Sequence, residues 1–572
     1  MFEIRTRDAG GRIGKWSFGK KKHTVNTPQI AIVINPNQQI IPPIDLEKKF
    51  GAELVITNAY IAKKSRSAEE IQEKGLHKYF KWKGPIYTDS GTYQMFSKGN
   101  VTITPQETID FQKKIGSDII TPLDLFTVPQ DSRETAEKNL FETISRIKGA
   151  REIVKNEQLV GPVQGGSFPD LRKRAAMEVS KIAPDIYAVG GIVPLMNQYR
   201  FRELMDVILT AKMNLTPEKP IHAFGCGHPM IFSLLVAVGI DLFDSAAYAL
   251  YAKDNRYMTE RGTEQVSELH ELPCECPVCS KYKSTELDEK LLAEHNLYQT
   301  FKEIKTIKHA IHEGTLWELV EQRIRAHPHM IEAYRHIRKY NKYLETVEPI
   351  SRKKAYFETG IESRYRPEVY RVKERVKELN EDETFEWQKI KIPCGLKNVY
   401  PIGQSLLVEG KDTEIKPDPE TIVKTTLKYQ YGKGAEIMIS KDTQIVHSKN
   451  TGRIRSITKG NTLLGTLRAH DGLFIPTAAG ASELRKHIGK QAYCVKITTD
   501  AIPFVKEGCS VFSKFVADAD EKIRPGDEVF VTDDSDNLIA TGTALMNRKE
   551  MSYFKDGVAV KTRHVKEESL FT

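Results

Sequence analysis

Pro220-Ile-His-Ala-Phe-Gly225 and Gly239-Ile-Asp-Leu-Phe-Asp244 are the last two of eight short β-branched or apolar runs in the first 250 residues. The others span 29–34, 53–58, 85–89, 118–124, 159–164 and 185–191. Between most of them lie helix-like stretches at 67–80, 104–115, 132–156, 170–182 and 199–212, several opened by a capping residue or by Pro in the first turn. Eight βα units over this length predict an α/β fold built on a (β/α)8 TIM barrel. An open doubly wound sheet usually has fewer strands and a Gly-rich phosphate turn, and no such turn follows the first run.

What ends these runs carries the chemistry. The carboxyl ends of all barrel strands open on one face, so residues there converge however distant they are in sequence. Here the ends hold Asn58, Asp89, Asp124, Gln164, Gly190 with Gly191, Phe224 with Gly225, and Asp244. Any one Asp after a strand is equally a turn former or helix cap. Three at the same end of one barrel favour a shared pocket. A guanine-like edge asks for a carboxylate facing its amino and ring N–H groups and for donors facing its carbonyl. Asp124, Gln164 and the Gly191-Ile192 backbone supply that set, and Tyr93 and Phe224 offer flat surfaces to sandwich a base, although aromatics near strand ends also serve as core. Asp89 and Asp244 remain as a carboxylate pair of the kind used where a glycosidic carbon is attacked from one side and the departing group is protonated from the other.

The run Pro273-Cys274-Glu-Cys276-Pro-Val-Cys279 carries three cysteines in a C-x-C-x2-C knuckle. With His295 sixteen residues on, it can close a tetrahedron around one structural Zn2+, leaving no open position for chemistry. His270 and His309 also flank the knuckle. The bland reading is three buried thiols. The other four cysteines are scattered, which suits a reducing compartment rather than a disulfide framework.

A chain of 572 residues exceeds a single core, and roughly three or four domains are expected. No long apolar run or signal-like amino terminus is present, so a cytoplasmic protein without membrane contact is expected. A net charge of +9 permits a nucleic-acid partner without demanding one.

Tyr87-Thr-Asp89-Ser90-Gly-Thr-Tyr93-Gln94, Thr121-Pro-Leu-Asp124, Pro162-Val-Gln164-Gly-Gly166, Ala188-Val-Gly-Gly191, Phe224-Gly-Cys-Gly-His-Pro229, Phe243-Asp244-Ser-Ala and the cysteine knuckle occur in this order. Together they resemble the tRNA-guanine transglycosylases, and the long carboxyl-terminal extension is similar to that of the archaeosine-type enzymes. The resemblance implies Asp244 as nucleophile on the ribose anomeric carbon and Asp89 as general acid/base. It implies Ser90, Asp124, Gln164, Gly191 and Ile192 as base-binding groups and His295 as the fourth zinc ligand, although the gap from Cys279 to His295 is shorter than the family pattern. The implied reaction replaces guanine at position 15 of tRNA with free 7-cyano-7-deazaguanine (preQ0), in a homodimer, without a nucleotide cofactor. Phe224 and Cys226 are candidates to accept the cyano-bearing side. Two rivals are a related enzyme that processes the base after insertion and a non-catalytic tRNA-binding paralogue.

Beyond a catalytic domain at 1–345, two small α+β domains are expected at 346–425 and 426–498. The stretch 352–377 has nine Lys or Arg against four acids and reads equally as an RNA contact or a solvated face. Short strands and turns in the last seventy or so residues predict a small β-barrel. The segments Ile523-Arg-Pro-Gly-Asp527-Glu-Val-Phe-Val531 and Ala540-Thr-Gly542 resemble the RNA-binding PUA domain, expected at 499–572. Arg548, Lys549, Lys555, Lys561, Arg563 and His564 supply the basic surface such a domain presents to phosphates.

Overall fold

The computed structural model describes residues 1–92, 103–379, 383–408 and 416–566. The chain divides into two compact units, 1–312 with 322–337, and 313–321 with 338–572.

The first unit opens with an antiparallel sheet of β1 (Phe2–Asp8), β2 (Gly11–Phe18) and β3 (His23–Thr27). Eight parallel strands then close on themselves: β4 (Gln29–Val33), β5 (Val55–Asn58), β6 (Ile86–Asp89), β7 (Ile119–Ile120), β8 (Gln158–Val163), β9 (Ile186–Val189), β10 (Ile221–Ala223) and β11 (Leu242–Ser245). The ring runs in chain order, β11 pairing with β4 in register Leu242 to Gln29. Each of the eight expected runs holds one of these strands, the run 118–124 only over Ile119–Ile120. Helices cover the outer face of the sheet and side chains fill its interior, so both faces are buried, which explains the near-continuous apolar runs.

The helices begin where their capping residues stand. Thr104 and Glu107 form a reciprocal capping box at the start of Pro105–Lys114, and Ser132 caps Arg133–Ile153. One expectation needs correction: the stretch 67–80 is two helices, Ala68–Lys74 and Leu76–Phe80. Between them Gly75 adopts φ +75°, outside the helical region.

Opposite the strands' carboxyl ends, an ion pair closes the barrel floor. Arg12 of β2 donates from Nε to Asp241 Oδ1 at 3.0 Å and from Nη2 to Oδ2, and the Ile221 amide donates to Oδ2 at 2.9 Å. Both side chains are buried. Removing one partner strands the other charge, so Asp241→Ala is expected to cost the barrel roughly 3–5 kcal/mol. An Arg12→Met/Asp241→Leu double replacement should cost less than Asp241→Ala, as read by denaturant unfolding.

In the second unit, three arginines of the basic stretch 352–377 turn inward, while Lys353, Lys354, Lys373 and Lys377 stay exposed. Arg352 pairs with Glu318 and Glu368, each at 2.9 Å, and Arg366 with Glu318 at 2.8 Å and Glu321 at 2.6 Å, all buried. Arg371 is also buried, with its Nε 3.3 Å from Glu345. Such pairs satisfy buried charges, so these arginines are not an RNA surface. Tyr356, Val372, Trp387, Ile392 and Leu396 belong to an apolar cluster of the same unit, and Arg366 lies over the Tyr356 ring. The carboxyl-terminal part is a barrel-like six-stranded sheet that includes Glu528–Thr532, Leu538–Ala544 and Val558–Val565. On its basic tail Arg548 pairs with Glu521 at 2.7 Å and Arg563 with Glu528 at 3.2 Å, while Lys555, Lys561 and His564 are exposed. Among the described residues no helix is long and apolar enough to cross a membrane.

Candidate active site and metal centre

The strands' carboxyl ends surround a cleft of about 530 Å³, lined among others by Asn58, Asp89, Asp124, Phe224, Gly225 and Asp244. Strand register brings them there: Asn58 and Asp89 end β5 and β6 as direct partners, and Asp244 lies near the end of β11. Asn58 does two jobs. Its Oδ1 accepts from the Ile61 amide to start the helix Ala59–Lys64, and its Nδ2 donates to Asp89 Oδ2 at 2.8 Å.

Burial, followed by the charge of Asp124, pushes the Asp89 carboxyl up to about 7, against the hydrogen bonds from the Gly91 amide and Asn58. A carboxyl there holds a proton near neutrality and can give it away. Burial also raises Asp124, while its hydrogen bond from Gln164 Nε2, at 2.6 Å, works the other way. That bond leaves Gln164 Oε1 buried without a partner among the described residues. Asp244 Oδ1 accepts from His222 Nε2 at 2.8 Å and from the Gly225 amide at 2.5 Å. Gly225 turns the chain with φ +79°, and a Cβ there would lie 2.3 Å from Val193 Cγ2.

Ser90, Gln164, Gly191 and Ile192 stand behind this lining. Ser90 is buried with its hydroxyl 3.0 Å from that of Thr92, and Gln164 reaches the cleft through Asp124. Gly191 and Ile192 follow β9, where the buried Arg172 organises the backbone. Its guanidinium donates to the carbonyls of Val163 (2.6 Å), Gly190 (2.9 Å) and Gly166 (2.8 Å), tying the ends of β8 and β9 together. Tyr93 lies outside the described residues. Cys226 is fully buried and does not line the cleft.

Arg172 and His222 were not singled out from sequence, and Asn58 was placed at the rim without a role of its own. His222 had a readable signal: it lies two residues before Phe224 in the expected strand run 220–225, where alternate residues share a face. Arg172, inside a helix, had none.

The knuckle lies apart from the cleft lining. Cys274, Cys276, Cys279 and His295 present ligand atoms all within 4.8 Å of one another. Cys276 and Cys279 sulfurs are 3.5 Å apart, and His295 Nδ1 is 3.5 Å and 3.2 Å from them. A tetrahedral ion with bonds near 2.3 Å to sulfur separates its ligands by roughly 3.5–3.8 Å, so the four residues fit one metal ion. His295 Nε2 lies 2.9 Å from the Met258 carbonyl, which orients Nδ1 as the ligand. Gln299 Nε2 donates to Cys274 Sγ at 2.8 Å, and the Tyr257 ring stacks on the imidazole at 3.7 Å.

A family model described as queuine tRNA-ribosyltransferase matches residues 8–329, more than half of the chain. The chain belongs to this family. Two further models match its carboxyl-terminal part: the patch-forming domain C2 of tRNA-guanine transglycosylase at 421–490 and the PUA domain at 494–566. Among curated relatives, the tRNA-guanine(15) transglycosylase of Methanocaldococcus jannaschii is 41% identical, with 98% of this chain and 99% of the relative covered. Those of Thermococcus kodakarensis and Pyrococcus furiosus are each 43% identical, covering 98% and 99% of this chain and 98% of each relative.

Proposed function

We propose that this chain is a tRNA-guanine(15) transglycosylase, exchanging guanine at position 15 of tRNA for the free base preQ0 through a covalent enzyme–tRNA intermediate. The observation that carries the chemistry is the unlike pair at the cleft: Asp89, raised to about 7, and Asp244, with one oxygen held by two donors. Asp244 attacks the ribose C1′, and Asp89 protonates the departing guanine and then takes the proton of the incoming base. Asp124, Gln164, Ser90 and the Gly191-Ile192 backbone read the shared edge of the two bases. Phe224 supplies one flat wall, and Tyr93 is proposed as the other. The full-length relatives support position 15 over the rival enzyme that acts after insertion, and the carboxylate pair supports catalysis over a silent paralogue.

We further propose zinc in the Cys3His cluster, supported by the donor set, with no part in the exchange itself. The division 1–345, 346–425, 426–498 and 499–572 is retained as a proposal, with the C2 and PUA matches supporting separate roles for the last two parts. Homodimer formation is proposed from the family alone. Exposed Lys555, Lys561 and His564 would meet phosphates and give tRNA affinity a salt dependence.

Incubation with unmodified tRNA and radiolabelled guanine tests the reaction. Incorporation at position 15 supports exchange, and tRNA binding without incorporation supports the paralogue. The pH course tests Asp89. The acid form falls as pH rises through about 7, so single-turnover release of guanine should decline up to roughly tenfold per unit above that value. In Asp89→Asn the rate should be low and flat across the same range. An unchanged pH profile in that variant would remove Asp89 as the acid.

A further inference from the structure

Asp244 is held from one side only. His222 Nε2 (2.8 Å) and the Gly225 amide (2.5 Å) both donate to Oδ1, and among the described residues no hydrogen bond reaches Oδ2. The imidazole is almost fully enclosed, with 1% of its side chain exposed against 11% for Asp244. Its other nitrogen, Nδ1, lies 3.4 Å from the hydroxyl of the buried Tyr87. Nε2 thus donates to the carboxylate while Nδ1 faces that hydroxyl, so both ring nitrogens have a partner that holds the ring plane. Phe224 packs against the same ring, centroids 4.8 Å apart, so the imidazole cannot swing away without disturbing the cleft wall.

We propose that His222 is a positioning residue for Asp244: with the Gly225 amide it fixes Oδ1, so that Oδ2 is the atom that attacks the ribose, and it stabilises the carboxylate when that atom departs. This rests on the reading of Asp244 as nucleophile. In the first half-reaction Oδ2 bonds to C1′ while the C1′–N9 bond of guanine breaks. The electron pair goes to N9, which takes the proton of Asp89. In the second half the incoming base gives its N9 proton to Asp89 and bonds to C1′, and the pair of the C1′–Oδ2 bond returns to Asp244. Between the halves Oδ1 is an ester carbonyl, a weaker acceptor than a carboxylate oxygen. The two donors therefore favour the free carboxylate over the adduct and assist the second half-reaction.

The consequence separates positioning from packing. In full-length protein with saturating tRNA and guanine, His222→Phe should lower kcat on the order of 10- to 100-fold. The fraction of enzyme trapped as denaturation-resistant tRNA adduct should rise several-fold at steady state, with KM for tRNA changed less than about twofold. His222→Gln, which can return an Nε2–H donor, should recover most of the turnover and the native adduct fraction. Unchanged kcat and adduct in His222→Phe would overturn the proposal, as would parallel loss of both with no recovery in His222→Gln. Should His222→Phe fail to fold, Tyr87→Phe takes its place: a several-fold fall in kcat with more adduct supports the proposal, and native values overturn it. Asp244→Ala is run alongside. An adduct in that variant strikes the nucleophile assignment beneath the proposal, whereas its absence beside native behaviour of the His222 variants strikes the proposal alone.

Discussion

Asp244→Ala is expected to lower guanine exchange on the order of 10⁴-fold or more and to remove the tRNA adduct from denaturing gels, while tRNA affinity stays within a few-fold of native. The size follows from the role. A covalent route divides the exchange into two displacements, and without the nucleophile neither can occur. The choice of Asp244 over Asp89 follows from their surroundings. Asp89 has burial and a neighbouring carboxylate raising it to about 7, which suits a proton donor and weakens a nucleophile. Asp244 has its donors gathered on Oδ1, and among the described residues no hydrogen bond reaches Oδ2. Affinity for tRNA is spared because phosphate contacts across a wide surface dominate it. Asp89→Ala should retain some adduct with slow turnover. An adduct in Asp244→Ala together with none in Asp89→Ala would exchange the two roles.

The barrel was legible because its signals are local and repeated. Each strand is a short apolar run, each helix has a cap or Pro at its start, and a β-strand that ends in Asp or Asn places that residue at the common rim. Asp89, Asp124, Asp244 and Phe224 stand at the ends of the expected runs and line one cleft. Arg172 was not legible, because its acceptors are the carbonyls of Val163, Gly166 and Gly190, and backbone carbonyls leave no mark in a side-chain pattern. The arginines of 352–377 were read as a surface for the opposite reason. Their burial depends on Glu318 and Glu321, more than thirty residues earlier, which only the fold brings beside Arg352 and Arg366. The break at Gly75 is a third case: a glycine inside a helical pattern is tolerated or not according to φ, and φ is set by packing.

Metal removal is expected to act on stability and spare the chemistry of whatever stays folded. The knuckle has little else to hold it. Of the residues from 266 to 288, only Val278 is buried, and the three cysteines are themselves partly exposed. So small an apolar core cannot offset the entropy of ordering such a segment, and the free energy of metal binding becomes free energy of folding. The ligands join two pieces of chain: the knuckle itself and the helix Glu289–Glu313, whose His295 also bonds Met258 at the end of the ribbon strand Arg256–Met258. Loss of one ligand should therefore loosen that whole junction. Cys276→Ala is expected to lose about one equivalent of zinc and to lower the melting temperature of the barrel unit by roughly 10 °C, as several kcal/mol would in a domain of this size. Since no knuckle residue lines the cleft, kcat per folded molecule should remain within about threefold of native. Calorimetry and metal analysis on the same samples, with exchange measured below the new transition, decide it. A metal-free protein with native melting would exclude a structural site, and a large fall in kcat with native melting would place the metal in the chemistry.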